Sequence, residues 1–236
     1  MAGKQGAGPP GGAGGADSYA PFGTDVADLC AGFGDRHHAP PSRAGAPEVV
    51  TVKQVHGTRI ATPQQVRTGE ADEADALVVD GPGTLVAIRT ADCVPVLLLA
   101  DGPTRFAAAV HAGWRGTLAD ITGRAVEAAV ARGVDPARLR AAIGPAIGPC
   151  CYEVGEDLAS RFAKEGLPVV ETDDRPRLDL RAINVIRLER AGLSPGRIRL
   201  AGPCTRCRND RYWSYRAQPL EKGRQLSWIG WEGRDA

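Results

Sequence analysis

Three short segments carry residue types that do chemistry: Lys53-Gln54-Val55-His56-Gly57, Thr90-Ala91-Asp92-Cys93-Val94-Pro95 and Val110-His111-Ala112-Gly113-Trp114-Arg115-Gly116. Each places one His or Cys at the end of an apolar run, next to Gly, Pro or a polar residue. Strand ends of this kind are where a rigid scaffold delivers side chains to a cleft. The three positions are far apart in the chain, so no local spacing joins them. Only the fold can.

Two imidazoles and one thiolate are ligands of borderline softness. Meeting around one ion, His56, Cys93 and His111 fit zinc with an open fourth position, the arrangement that lowers the pKa of a bound water. The same set fits a blue-copper ion. Such a centre usually has a weak axial Met, and the only methionine is Met1, which leaves Gln54 as the substitute. A multicopper oxidase needs a further histidine-rich cluster, and His37, His38, His56 and His111 are all the histidines there are. That class is excluded. Taken singly, each residue keeps an inert reading: a hydrogen-bonded strand-end His, or a Cys that fills core space.

Neighbouring residues extend the set. Arg115 sits in a Gly-flanked turn, suited to a bidentate phosphate contact or to a structural salt bridge. Gln54, two residues before His56, shares its face and is placed to touch a substrate. Asp92 is an acid/base or ligand-orienting candidate, but strand alternation points it away from Cys93, which favours a structural role. The Gly144 to Gly148 segment is either a plain turn or a set of backbone N–H groups for an anion. Cys204-x-x-Cys207 is half of a four-cysteine zinc site or a redox pair, with no second Cys-x-x-Cys in the chain. Cys150 and Cys151 are too closely spaced for an ordinary disulfide within the pair.

The elements that must position these residues are mostly strands. Apolar or β-branched runs bounded by Gly, Pro or Asp predict strands at Val49–Val55, Ala76–Val79, Leu85–Ile88, Val94–Leu99, Phe106–Val110, Leu139–Ile143, Leu167–Val170 and Ile198–Leu200. Helical periodicity predicts Thr117–Arg132, Asp157–Glu165 and Leu180–Ala191, each followed by Gly or capped as expected, with Asp179 as an N-cap. Strands and helices do not alternate strictly. The expected class is α/β (α+β), a single-domain sandwich of mixed β-sheets flanked by helices, and not a TIM barrel.

Composition narrows the rest. Residues 1–16 hold seven Gly, four Ala and two Pro, a composition expected to form a disordered tail, with residues 17–236 as the domain. Lys and Arg number 29 against 28 Asp and Glu, a net charge of +1 that gives no general attraction to nucleic acid or an anionic membrane. The longest wholly apolar run, Val94 to Ala100, is far short of the roughly 20 residues a membrane span requires. No secretory signal pattern is visible, so the expected location is cytoplasmic. Six cysteines in 236 residues are too few for a disulfide scaffold.

Together with Ile143-Gly144-Pro145-Ala146-Ile147-Gly148-Pro149-Cys150-Cys151-Tyr152-Glu153-Val154-Gly155 and Trp213-Ser214-Tyr215-Arg216, the three segments resemble the YfiH or laccase-domain family from about Gly32 to Trp228. Its members were named polyphenol oxidoreductases and are now regarded as purine nucleoside phosphorylases. The resemblance implies that His56, Cys93 and His111 bind the catalytic metal, normally zinc and in some members copper. It implies phosphorolysis of adenosine, inosine and methylthioadenosine, with deamination of adenosine. Purine nucleoside and phosphate are then the partners, and Arg36 matches an active-site Arg near the family's N-terminus. A link to peptidoglycan-precursor editing supplies an alternative, a hydrolase with Cys93 as nucleophile and a His as base. A further alternative is a non-catalytic module whose structural ion takes Cys207 or Cys151 as fourth ligand. The segment between Arg36 and Gln54 is shorter than in relatives, and Ala217-Gln218 replaces the family's Arg-Asp.

Overall fold

Four apolar runs follow one another between Ala76 and Ala112, and they form the centre of the molecule. The computed structural model describes residues 21–233 apart from 24–25, 43–44 and 101. The tail expected at 1–16 lies outside the described residues. Strands are β1 (Leu29–Phe33), β2 (Glu48–Val50), β3 (Ile60–Ala61), β4 (Ala76–Val79), β5 (Thr84–Thr90), β6 (Val94–Ala100), β7 (Phe106–Ala112), β8 (Leu139–Ile143), β9 (Ile198–Leu200) and β10 (Gln225–Trp231). Helices are α1 (Pro63–Arg67), α2 (Trp114–Leu118), α3 (Ile121–Val130), α4 (Glu156–Lys164) and α5 (Leu180–Arg190).

Two mixed sheets form one α/β domain without barrel closure, as expected. The smaller runs β1-β10-β5-β2 and the larger β3-β4-β7-β6-β8-β9. Successive residues of β6 point to opposite faces. Leu97 and Leu99 meet Val86, Ile88, Ile229 and Trp231 of the smaller sheet. Val96 and Leu98 meet Ile121 and Ala125 of α3 and Ile183 of α5. The larger sheet is therefore the middle layer, buried on both faces, which is why β6 and β7 read as unbroken apolar runs.

Three expectations need correction. The helix over Thr117–Arg132 is two helices, because Asp120 takes the left-handed conformation (φ 60°) and caps α3 through Gly123 N at 3.1 Å. The strand over Val49–Val55 stops at Val50, since the N–H groups of residues 55–57 go to a carboxylate instead of a neighbouring strand. At Leu167–Val170 only Val170 pairs, as an isolated bridge with Arg177. Strands β1, β3 and β10 and the short α1 carried no recognised periodicity. Among the described residues no helix is long and apolar enough to cross a membrane.

Candidate metal centre

Antiparallel register brings two of the three donors together. Val94 lies opposite Ala112 and Pro95 opposite His111, so Cys93, just before β6, meets His111 near the end of β7. His56 arrives from the connection between β2 and β3. The donor atoms of His56, Cys93 and His111 all lie within 4.8 Å of one another. The two imidazoles meet edge to face, with centroids 4.9 Å apart and planes at 73°. His111 is buried, Cys93 half-buried and His56 exposed.

Asp75, which sequence reasoning did not single out, holds this geometry. It directly precedes β4 and is 0% exposed. One carboxylate oxygen accepts from His56 N at 2.9 Å and His111 Nδ1 at 2.8 Å. The other accepts from Gly57 N at 2.7 Å and Val55 N at 3.3 Å. These bonds hold the 55–57 turn with His56 at φ 62°, a conformation uncommon outside Gly. Because Nδ1 of His111 donates to Asp75, Nε2 is the nitrogen left for Cys93 or an ion, the usual carboxylate support behind a ligating imidazole. Glycine is required at 113: a Cβ there would stand 2.9 Å from His56 Cδ2 and 3.2 Å from Cys93 Sγ.

The electrostatics follow from that packing. Burial pushes the Cys93 thiol up, but hydrogen bonds from His111 and His56 outweigh it and bring it down from 9.0 to about 6. Burial likewise disfavours the charged His111, yet hydrogen bonds to Asp75 and Cys93 raise it from 6.5 to about 9. In Asp75, burial opposes ionisation, and the His111 and Gly57 hydrogen bonds overcome it and lower the pKa. Without metal, the neutral-pH state is thus a thiolate beside an imidazolium.

Asp92 has a positioning role, but strand alternation does not set it: the residue lies in the bend between β5 and β6 at φ 88° and lines the same cleft as Cys93. Its oxygens accept from Thr205 Oγ1 and Arg216 N, each at 2.7 Å, and its carbonyl from Ile147 N at 2.9 Å. Three loops are thereby tied around Cys93. The Gly144 to Gly148 segment is a turn whose N–H groups at Gly144, Ile147 and Gly148 are already bonded, to Pro95 O, Asp92 O and Cys204 Sγ. Those three groups are not free for an anion.

The donors open onto a cleft of about 590 Å3, within the usual range for small-molecule sites. Trp114, Tyr152 and Tyr215 line it, with Arg89, Arg115, Arg216 and Arg224. Among the described residues none of these four arginines pairs with a carboxylate: Arg89 bonds Thr51, Arg115 stacks on Trp114, Arg216 bonds Glu153 O, and Arg224 bonds Gly223 O. Arg89 and Arg224 carried no local signal in the sequence. Burial raises Tyr152 to about 12, so its hydroxyl keeps its proton.

The remaining candidates are placed as follows. Gln54 lines the cleft, but its amide bonds both ways to the Arg89 backbone, at 2.7 and 2.8 Å. Arg36 is not among the cleft-lining residues. It stacks on Trp213 at 3.9 Å, pairs with Glu221 at 3.1 Å and bonds Gln218. Cys151 and Cys207 are grouped with Cys150 and Cys204, apart from the donor trio.

A family described as multi-copper polyphenol oxidoreductase laccase matches residues 25–232. A purine nucleoside phosphorylase of Deinococcus radiodurans is 41% identical over 192 residues, covering 80% of this chain and 73% of the relative. Adenosine deaminase RL5, from an unknown prokaryotic organism, is 32% identical over 77% of this chain and 74% of its own length. The crystal structure of YlmD from Geobacillus stearothermophilus superposes with a TM-score of 0.77 at 27% identity, over 88% of this chain and 93% of that one.

Proposed function

The chain belongs to the multi-copper polyphenol oxidoreductase laccase family, and from that premise we propose a zinc-dependent purine nucleoside phosphorylase that also deaminates adenosine. One observation carries the reading. The His56, Cys93 and His111 donors open onto a cleft that combines aromatic rings with arginines that have no carboxylate partner among the described residues.

The donor set suits a zinc-type ion: two imidazoles and a thiol, a carboxylate behind one imidazole, and no fourth His, Cys, Asp or Glu in the group among the described residues. When bound, such an ion supplies Lewis acidity and an activated water at neutral pH. Copper suits the same atoms, but four histidines cannot furnish the second cluster that multicopper oxidation requires. Phosphorolysis joins a phosphate oxygen to C1′ of the ribose and breaks the bond from C1′ to the purine nitrogen. The base leaves with the electron pair and takes up a proton. Arg115 and Arg216 hold the phosphate, the bidentate role for which guanidinium is suited. Trp114 and Tyr215 stack the base. Tyr152, kept protonated, donates its O–H toward the departing purine. In deamination the same pocket holds the base while water replaces the amino group as ammonia.

Relatives named purine nucleoside phosphorylase and adenosine deaminase support both halves of this reading. The test is incubation of the zinc-loaded chain with adenosine, with and without phosphate. Adenine and ribose 1-phosphate are expected only with phosphate, inosine and ammonia without it. No product under either condition overturns the proposal. Cys93→Ala is expected to lose the ion from this site.

A second reading draws on the thiolate–imidazolium pair: a hydrolase on cell-wall precursors with Cys93 as nucleophile and His111 as the proton carrier. A precursor-derived covalent adduct on Cys93 would favour it over the phosphorylase.

A further inference from the structure

Sequence spacing left Cys204 and Cys207 without a second thiol pair; the fold supplies one. Strands β8 and β9 are parallel neighbours, so the chain leaves both at the same end of the larger sheet. The two exit loops stay together past the strands: Ala146 bridges Cys204, and Thr205 N donates to Ala146 O at 3.0 Å. This brings Cys150 and Cys151 against Cys204 and Cys207, with all four sulfurs within 4.8 Å of one another.

We propose that Cys150, Cys151, Cys204 and Cys207 form a tetrathiolate structural zinc site, separate from the His56, Cys93 and His111 centre. Cys207 Sγ lies 3.6 Å from Cys150 Sγ and 3.5 Å from Cys151 Sγ. A disulfide requires about 2.05 Å, whereas sulfurs about 2.3 Å from a tetrahedral zinc stand about 3.8 Å apart. The spacing is that of ligands around a common centre. The group contains no carboxylate or imidazole, and an all-thiolate tetrahedral set selects zinc or an iron–sulfur centre over hard cations. Gly148 N donates to Cys204 Sγ at 3.2 Å, the kind of support a thiolate ligand receives from its surrounding backbone. Four thiols close the shell and leave no position for a water, which makes the site structural.

Its place in the fold gives it a purpose. The loops after β8 and β9 contain little regular structure around the thiols, yet they carry Ile147, Tyr152 and Arg216 to the cleft. Thr205, the neighbour of Cys204, hydrogen-bonds Asp92, the neighbour of Cys93. A zinc clamp here fixes that wall by cross-linking the two segments through their sulfurs.

The test measures metal content in the full-length chain, purified and zinc-loaded under reducing conditions. Two zinc ions per chain are expected in the wild type. The His56→Ala/His111→Ala variant is expected to keep one, and Cys204→Ser/Cys207→Ser to lose one. Loading the His56→Ala/His111→Ala variant with cobalt should give the sulfur-to-metal charge-transfer band of a tetrathiolate ion, so the cysteine variant need not fold for a decision. The proposal is overturned if His56→Ala/His111→Ala holds no zinc, or if the four-thiol site holds iron. It is also overturned if two of the four cysteines form a disulfide and take up no zinc after reduction and reloading. Failure of nucleoside turnover with two zinc ions bound would count against the function above and leave this site standing.

Discussion

Replacing Asp75 with Asn keeps the shape and removes the charge, and its consequence can be worked from the four bonds the carboxylate accepts. His56 N and His111 Nδ1 share one oxygen, Gly57 N and Val55 N the other. An amide has only one acceptor atom, so whichever way it turns, two donors face an NH2 group. Two bonds to a charged acceptor are worth about 3–6 kcal/mol net, and Asp75 at 0% and His111 at 3% exposed leave water little access to the carboxylate and to the His111 bond. Urea unfolding of the metal-free chain at pH 7 should therefore show Asp75→Asn less stable by about 3–6 kcal/mol. Zinc affinity, by competition with a chromogenic chelator, should fall about 10–100-fold, as for loss of carboxylate support behind a ligating imidazole.

The pH dependence has a definite sign. His111 has a folded pKa raised to about 9, so the stability it contributes is fully present below 6.5 and lost as pH rises through about 9. The lowered Asp75 contributes above its ordinary 3.8 and loses that contribution as pH falls through its depressed value. The gap between wild type and Asp75→Asn should thus narrow between pH 6.5 and 9. A gap under about 1 kcal/mol at pH 7 with unchanged zinc affinity would refute the assigned role of Asp75.

Other outcomes are equally open to measurement. Alkylation of Cys93 in the metal-free chain should be nearly flat from pH 7 to 9, because its thiol titrates at about 6; a tenfold rise per pH unit across that range would mean an ordinary thiol. Gly113→Ala places a methyl 2.9 Å from His56 and 3.2 Å from Cys93 Sγ, so metal content should drop while circular dichroism stays that of a folded chain. Arg115→Ala and Arg216→Ala should each raise the KM for phosphate about tenfold or more, equivalent to roughly 1.4 kcal/mol of lost binding, with a smaller effect on KM for the nucleoside. Leu98→Ala, in the middle layer, should cost about 2–5 kcal/mol in chemical denaturation without changing metal content.

Local patterns located the donors and most of the sheet. The apolar runs at Ala76–Val79 and Leu139–Ile143 are strands with the expected bounds, since burial on both faces demands uninterrupted apolar sequence. Cys93 and His111 stood out because each lies at the end of such a run, and His56 was read the same way although its strand stops at Val50, six residues earlier. Asp179 was legible as a cap for α5, which it is, through Arg181 N and Ala182 N.

Other features depend on pairings between distant residues and leave no local mark. Asp75 is an ordinary polar residue before a strand until antiparallel register places His111 and the 55–57 turn around it. Arg89 alternates outward from β5 like any surface arginine, and only the cleft makes it a neighbour of Arg115 and Arg216. Cys204 and Cys207 gain Cys150 and Cys151 through the parallel pairing of β8 with β9, strands separated by two helices in the chain. A residue's type and its immediate neighbours state what it can bind. Which partners it meets is set by sheet register, where moving one strand by one residue turns every side chain to the other face.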